Sequence, residues 1–224
     1  IMKVTSTVKK ILSSYESENY GVRTNLSRIL MQGKLAGTGR LIILPVDQGF
    51  EHGPDRSFAV NAPSYDPLYH FQLAIDAGLS AYAAPLGMLQ AGVGSFYGQI
   101  PTILKINSSN TLAQSMDQAV TGSVDDAVKM GCSAIGFTIY PGSDHNFDLM
   151  EEFRELSKEA KDKGLAVVLW AYARGKEISK QGETAINIIS YAAHMSALLG
   201  ANIIKVKLPS DFIEDDPTKV AFEK

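Results

Sequence analysis

Cysteine is nearly absent: Cys132 is the only one in 224 residues. One thiol makes no internal disulfide, so cross-links do not hold this fold, and a reducing cytoplasm is the expected location. Cys132 follows Gly131 at the start of an apolar run, which marks it as a buried structural thiol. A basic excess is absent too. The 21 Lys and Arg fall below the 24 Asp and Glu, for a formal net charge of -3, and nothing points to nucleic acid as a partner. No apolar run reaches the roughly 20 residues that cross a bilayer, so no membrane contact is expected. The stretch Ile1 to Lys10 lacks the apolar centre of a signal peptide. Histidine is scarce and scattered over His52, His70, His145 and His194. Only Glu51-His52 pairs a carboxylate with an imidazole at a strand end, too few ligands for zinc or magnesium, so no metal is expected. Gly92, Gly94 and Gly98 look like a glycine-rich loop, but no strand–turn–helix context makes them a dinucleotide site.

What is present is ordinary globular material, 45% hydrophobic and 20% charged, enough for one sizeable core. Residues 1–38 read as an N-terminal helical extension. Val4, Val8, Ile11, Leu12 and Tyr15 fall at helical spacing, as do Leu26, Ile29 and Leu30, before a link from Gly33 to Gly39. From residue 39 to 224 strands and helices alternate. Strands are expected at Leu41–Val46, Ser80–Ala84, Thr102–Asn107, Ser133–Tyr140, Ala166–Tyr172 and Ala201–Lys207. Asp66 with Pro67 opens a helix that Gly78 stops, and Ser123 with Asp126 resembles a capping box. Helices are also expected over Phe147–Lys163, ending at Gly164, and over Thr184–Leu199, ending at Gly200.

Six such units imply a parallel sheet. Polar residues gather where the strands end, at Asp47, Lys105, Asn107, Tyr140, Trp170, Tyr172, Lys205 and Lys207. A doubly wound sheet concentrates function at its switch point. Here five of the six strands contribute, which favours a (β/α)₈ TIM barrel. Only about six βα units of that barrel are present, and eight need about 250 residues. The barrel is therefore expected to be incomplete at the C-terminus, with two more strands after Lys224.

The chemistry centres on Ala201-Asn202-Ile203-Ile204-Lys205-Val206-Lys207. Alternation along a strand puts Lys205 and Lys207 on one face. A lysine inside a sheet loses solvation, which lowers its pKa, and a neutral amine forms a Schiff base with a carbonyl. The alternative is an edge strand with both lysines in water. Trp170 and Tyr172 share a face of the preceding strand, either as an aromatic core layer or as a wall and a general acid. Asp47, at the end of the first strand, accepts a proton, holds a hydroxyl or balances a lysine; otherwise it forms an Asx turn before Gly49. Arg174 has the fork to hold a phosphate, or is a solvated loop arginine. Lys105 is a second inward lysine. Without a partner lysine two residues away it ranks below Lys205 as nucleophile and is expected to stabilise charge near the substrate.

The segments Leu44-Pro45-Val46-Asp47-Gln48-Gly49 with Glu51-His52, Thr138-Ile139-Tyr140-Pro141-Gly142, Leu169-Trp170-Ala171-Tyr172-Ala173-Arg174 and Lys205-Val206-Lys207 resemble the archaeal- and bacterial-type class I fructose-bisphosphate aldolases. The resemblance runs over residues 33–207, with the motifs in order. It implies a (β/α)₈ barrel and a cytoplasmic, homo-oligomeric lyase of glycolysis and gluconeogenesis. Such an enzyme acts on a phosphorylated sugar without a cofactor, through a covalent lysine Schiff base. It implies Lys205 as the Schiff-base lysine, Tyr172 as proton donor, Asp47 as the first strand's functional aspartate and Trp170 as a wall. Gln48, His52, Arg174 and Lys207 fall on substrate-contact positions, Gln48 where some members carry His. The family's glycine-rich phosphate loops on the seventh and eighth strands have no counterpart here. A related Schiff-base aldolase or synthase, or a non-catalytic sugar-phosphate-binding barrel, are the rival readings.

Overall fold

The computed structural model describes residues 3–222; Ile1 and Lys224 lie outside them. Six strands form one parallel sheet: β1 (Ile43–Pro45), β2 (Ala81–Pro85), β3 (Thr102–Lys105), β4 (Ala134–Ile139), β5 (Ala166–Ala171) and β6 (Ile203–Lys205). Their order in the sheet is their order in the chain. A doubly wound sheet reverses direction part-way across, and this one does not. The two edges also approach each other, since Leu41, Ile43 and Pro45 line one cavity together with Ile203, Ile204 and Val206. The sheet is thus curled into an open barrel of six units. Among the described residues, β1 and β6 carry no strand on their outer edges.

Two helices precede the sheet, α1 (Ser6–Ser13) and α2 (Tyr20–Leu30). Then come α3 (Gln48–Glu51), α4 (Pro54–Phe58) and α5 (Pro67–Asp76) after β1, and α6 (Leu86–Phe96) after β2. The remaining strands are followed by α7 (Val124–Lys129), α8 (Asn146–Asp162), α9 (Ile186–Leu198) and α10 (Asp216–Phe222) respectively. The expected start signals are in place. The Asp66 carboxylate accepts from Leu68 N at 2.9 Å, and Ser123 with Asp126 completes a reciprocal capping box. Gly78, Gly131, Gly164 and Gly200 all take positive φ just beyond helix ends. One expectation fails: Gly92 and Gly94 are inside α6, not in a loop. A Cβ on Gly92 would meet the Phe71 ring at 2.3 Å. Gly92 is there for close packing of α6 on α5, which outweighs glycine's poor helix propensity.

Strand alternation builds two cores. The outward side chains Tyr82, Leu104, Ile135, Phe137, Val167 and Leu169 pack under the helices with Phe71, Leu149 and Phe153. The inward ones are small near the strand starts: Ala81, Ala83, Ala134 and Ala166 cluster with Ile103, Val168 and Trp170. Into the space they leave, α2 inserts Val22, Leu26 and Ile29. Two bonds seat the helix region at this end of the barrel, Asn25 Nδ2 to Gly164 O at 2.8 Å and Tyr15 Oη to Asn202 O at 2.7 Å. The opposite end, where the strands finish, stays open for the polar residues. Cys132 is buried as expected, and burial pushes its thiol up to about 11.

Candidate active site

Asp47, Gln48, Glu51, His52, Thr138, Tyr140, Tyr172, Arg174, Lys205 and Lys207 surround a cavity of about 350 Å³ at the C-terminal ends of the strands. That volume falls in the range of small-molecule sites. The sheet register puts Lys205 beside Trp170 and Trp170 beside Thr138. Trp170 needs room on the inner face. Gly136 supplies it, because a Cβ there would sit 2.2 Å from the indole. The indole then turns toward the neighbouring cavity at the β1–β6 seam, which it lines together with Lys205. Trp170 therefore walls the lysine's other side instead of the main cavity.

Lys205 Nζ lies 5.7 Å from the Trp170 ring and 5.7 Å from the Tyr172 ring. Arg174 Cζ lies 6.0 Å from the Tyr172 ring and 4.8 Å from the Tyr140 ring. Rings and cations thus alternate from the seam into the main cavity in the order Trp170, Lys205, Tyr172, Arg174, Tyr140, each cation held over aromatic faces. Arg174 is placed by the backbone. Its N–H donates to Pro141 O at 3.0 Å, and Gly175 approaches Gly142 so closely that a Cβ would be 1.9 Å from Gly142 O. Only glycine allows the loops after β4 and β5 to meet there.

Among the described residues Lys205 has no hydrogen-bond acceptor in reach, and burial lowers its pKa while Asp47 pulls it back up. Burial, with a smaller push from Asp47, drives the Tyr172 phenol up to about 12. Asp47 precedes α3, yet its carboxylate makes no capping bond to that helix, so an Asx turn does not consume it. Gln48 Oε1 is buried without a partner among the described residues. An orphan acceptor on a cavity wall is free to take a hydrogen bond from water or a bound molecule.

The other two lysines differ from this pattern. Lys207 reaches the cavity wall but holds Glu183 Oε2 at 2.5 Å. Lys105 does not line the cavity. It is 2% exposed and donates to Asn107 O, to Asn107 Oδ1 at 3.4 Å and to Gln118 Oε1 at 3.4 Å. Burial lowers it to about 8, against the pull of Asp47 and Glu51. Sequence reasoning gave no role to the wall residues Glu51, Thr138 and Tyr140 or to Gln118 behind them. The first three lie inside the motifs quoted above, so their places at or shortly after strand ends were a usable signal; Gln118 had none.

The sequence pattern of the DeoC/LacD family aldolases matches residues 41–222. The chain belongs to this aldolase family. It is 36% identical over 208 residues to a probable class 1 fructose-bisphosphate aldolase of Chlamydia muridarum, covering 91% of this chain and 59% of the relative. It is 39% identical over 179 residues to the class 1 fructose-bisphosphate aldolase of Thermoproteus tenax, covering 79% and 65%. A solved Schiff-base-forming fructose-1,6-bisphosphate aldolase superposes with a TM-score of 0.74 at 35% identity, covering 84% of this chain and 72% of that one. The motif resemblance and the open barrel of βα units both agree with these aldolases. The chain spans about three fifths of the length of the curated relatives it matches.

Proposed function

We propose that this protein is a class I fructose-1,6-bisphosphate aldolase of central sugar metabolism. It would cleave its substrate reversibly to dihydroxyacetone phosphate and glyceraldehyde 3-phosphate through a Schiff base on Lys205. The observation that carries the proposal is the Lys205 amine, with depressed pKa and no internal acceptor, between two aromatic rings on a cavity wall.

Lys205 Nζ adds to the C2 ketone, and loss of water gives an iminium. The iminium withdraws electrons, so the C3–C4 bond breaks once the C4 hydroxyl gives up its proton. Asp47 takes that proton in preference to a Tyr172 phenolate. A phenol pushed up to about 12 keeps its proton near neutrality. The phenol, still protonated, would donate to the enamine at C3. Water then releases dihydroxyacetone phosphate. The iminium is the electron sink, a task that a Lewis-acid metal performs in other aldolases. Gln48, His52, Arg174 and Lys207 would hold hydroxyls and phosphates around the same cavity. Lys105, sealed beneath, would act on the site only through its charge.

Two more strands in the β1–β6 seam would close the ring. A cytoplasmic location fits the single buried thiol, and no helix among the described residues is long and apolar enough to cross a membrane. A homo-oligomer is checked by sedimentation. The test of function is cleavage of fructose 1,6-bisphosphate by the intact protein, followed by a coupled assay for glyceraldehyde 3-phosphate. Turnover that borohydride destroys only when substrate is present supports the proposal; no turnover contradicts it.

A further inference from the structure

Gln118 belongs to none of the motifs that mark the barrel. It lies in the polar segment between β3 and α7, where Asn107–Ser108 and Ala119–Val120 pair as a short antiparallel ribbon. That ribbon folds the segment back over the strand ends and leaves Gln118 5% exposed. Its carboxamide touches three polar side chains. Oε1 accepts from Lys105 Nζ at 3.4 Å. Nε2 donates to Glu51 Oε1 at 3.1 Å and to Tyr140 Oη at 2.6 Å. The partners fix which end is which. A flipped amide would aim its NH₂ at an ammonium and its carbonyl at a carboxylate.

The consequence falls on Tyr140. Its oxygen is the acceptor for Gln118, so its own O–H points away from the amide. Among the described residues no acceptor receives that proton, and Tyr140 lines the cavity with the Arg174 guanidinium 4.8 Å from its ring. We infer that Gln118 is a positioning residue that locks the Tyr140 hydroxyl as a hydrogen-bond donor into the cavity. There, beside Arg174, it binds an acceptor oxygen of the sugar phosphate at the end of the wall away from Lys205. The identity of the ligand rests on the aldolase proposal; the direction of the hydroxyl rests on the amide alone.

The decisive variants are Tyr140→Phe, Gln118→Glu and their combination, made in the intact protein. Tyr140→Phe removes the donor and keeps the ring. It should raise KM by about 2- to 10-fold, the worth of one neutral hydrogen bond, and leave kcat nearly unchanged. Gln118→Glu keeps the side chain's shape and gains an ion pair with Lys105. Its carboxylate accepts the Tyr140 proton and turns the hydroxyl away from the cavity. KM should rise at least as much as in Tyr140→Phe, and because the new carboxylate also faces Glu51, some loss of melting temperature is expected. Because Gln118 acts through Tyr140, the double variant should be no worse than the worse single one. Multiplying losses, or an unchanged KM in either single variant, would overturn the inference. Should Gln118→Glu not fold, Gln118→Met removes the orienting amide without adding charge. Its smaller rise in KM should vanish in the Tyr140→Phe background, and a rise that persists there would overturn the inference. The calorimetric Kd for fructose 1,6-bisphosphate in a Lys205→Ala background separates the two levels. Absence of turnover in the parent protein, with Kd weakened by both variants, sinks only the aldolase proposal. A Kd indifferent to both variants sinks only the role of Gln118.

Discussion

Lys105 and Lys205 are both inward-facing lysines at the ends of barrel strands, and they make different sites. Lys105 is the more deeply buried and the more strongly shifted, down to about 8. By pKa alone it is the better nucleophile at neutral pH. It is nevertheless sealed at 2% exposure, with Asn107 and Gln118 oxygens around its nitrogen. Lys205 is only half-buried, and its nitrogen faces ring surfaces and a cavity instead of acceptors. A nucleophile needs a free lone pair and a path to the carbonyl. Burial supplies the first and removes the second, so a depressed pKa does not by itself identify the reacting lysine. Lys207 makes the same point from the other side, since it is open to the cavity but engaged by Glu183.

The largest effect that sharpens this contrast is expected beside Lys205. Tyr172→Phe keeps the ring against the ammonium and removes only the hydroxyl. Turnover should fall by about 10²–10⁴ with little change in melting temperature. A variant at full rate would return Tyr172 to a packing role.

Lys105 should show itself in stability. Its folded pKa of about 8 lies below the ordinary 10.5, so the folded state binds fewer protons between those values. Stability from this group therefore rises as pH climbs from about 8 toward 10.5, by on the order of 3 kcal/mol at most. Urea unfolding at several pH values should show that slope in the parent protein and lose it in Lys105→Met. An unchanged slope in the variant would mean that Lys105 is not the buried titrating amine.

Smaller again is a shift in the pH dependence of imine formation. Asp47 holds the Lys205 pKa up against the effect of burial. In Asp47→Asn the acid limb of borohydride-trapped imine formation should move to lower pH. Movement to higher pH would show that Asp47 does not act on Lys205 charge. The smallest expected effect is none: prolonged EDTA should leave turnover intact. Loss that zinc restores would place the enzyme in a different mechanistic class.

The strand period and the glycine stops made the barrel legible, because βα units advertise themselves locally. The places of Lys205, Tyr172 and Asp47 around one cavity were legible for the same reason, each standing where a strand ends. Other parts depend on pairs distant in sequence. The docking of α2 needs the alanines at the starts of three strands, and nothing in the helix alone says where its apolar face goes. The turn of Trp170 into the seam depends on Gly136, one strand away. The sealing of Lys105 depends on Gln118, which an aperiodic polar segment carries back over the strand ends. Gly92 misled for the same reason, its partner being the Phe71 ring on another helix.

The central claim is that access selects Lys205 over the more strongly shifted Lys105. Borohydride reduction of the intact protein with dihydroxyacetone phosphate, followed by peptide mass mapping, tests it directly. The account predicts one stable adduct, on the peptide carrying Lys205, that is lost in Lys205→Ala. An adduct on Lys105 or Lys207 would contradict it.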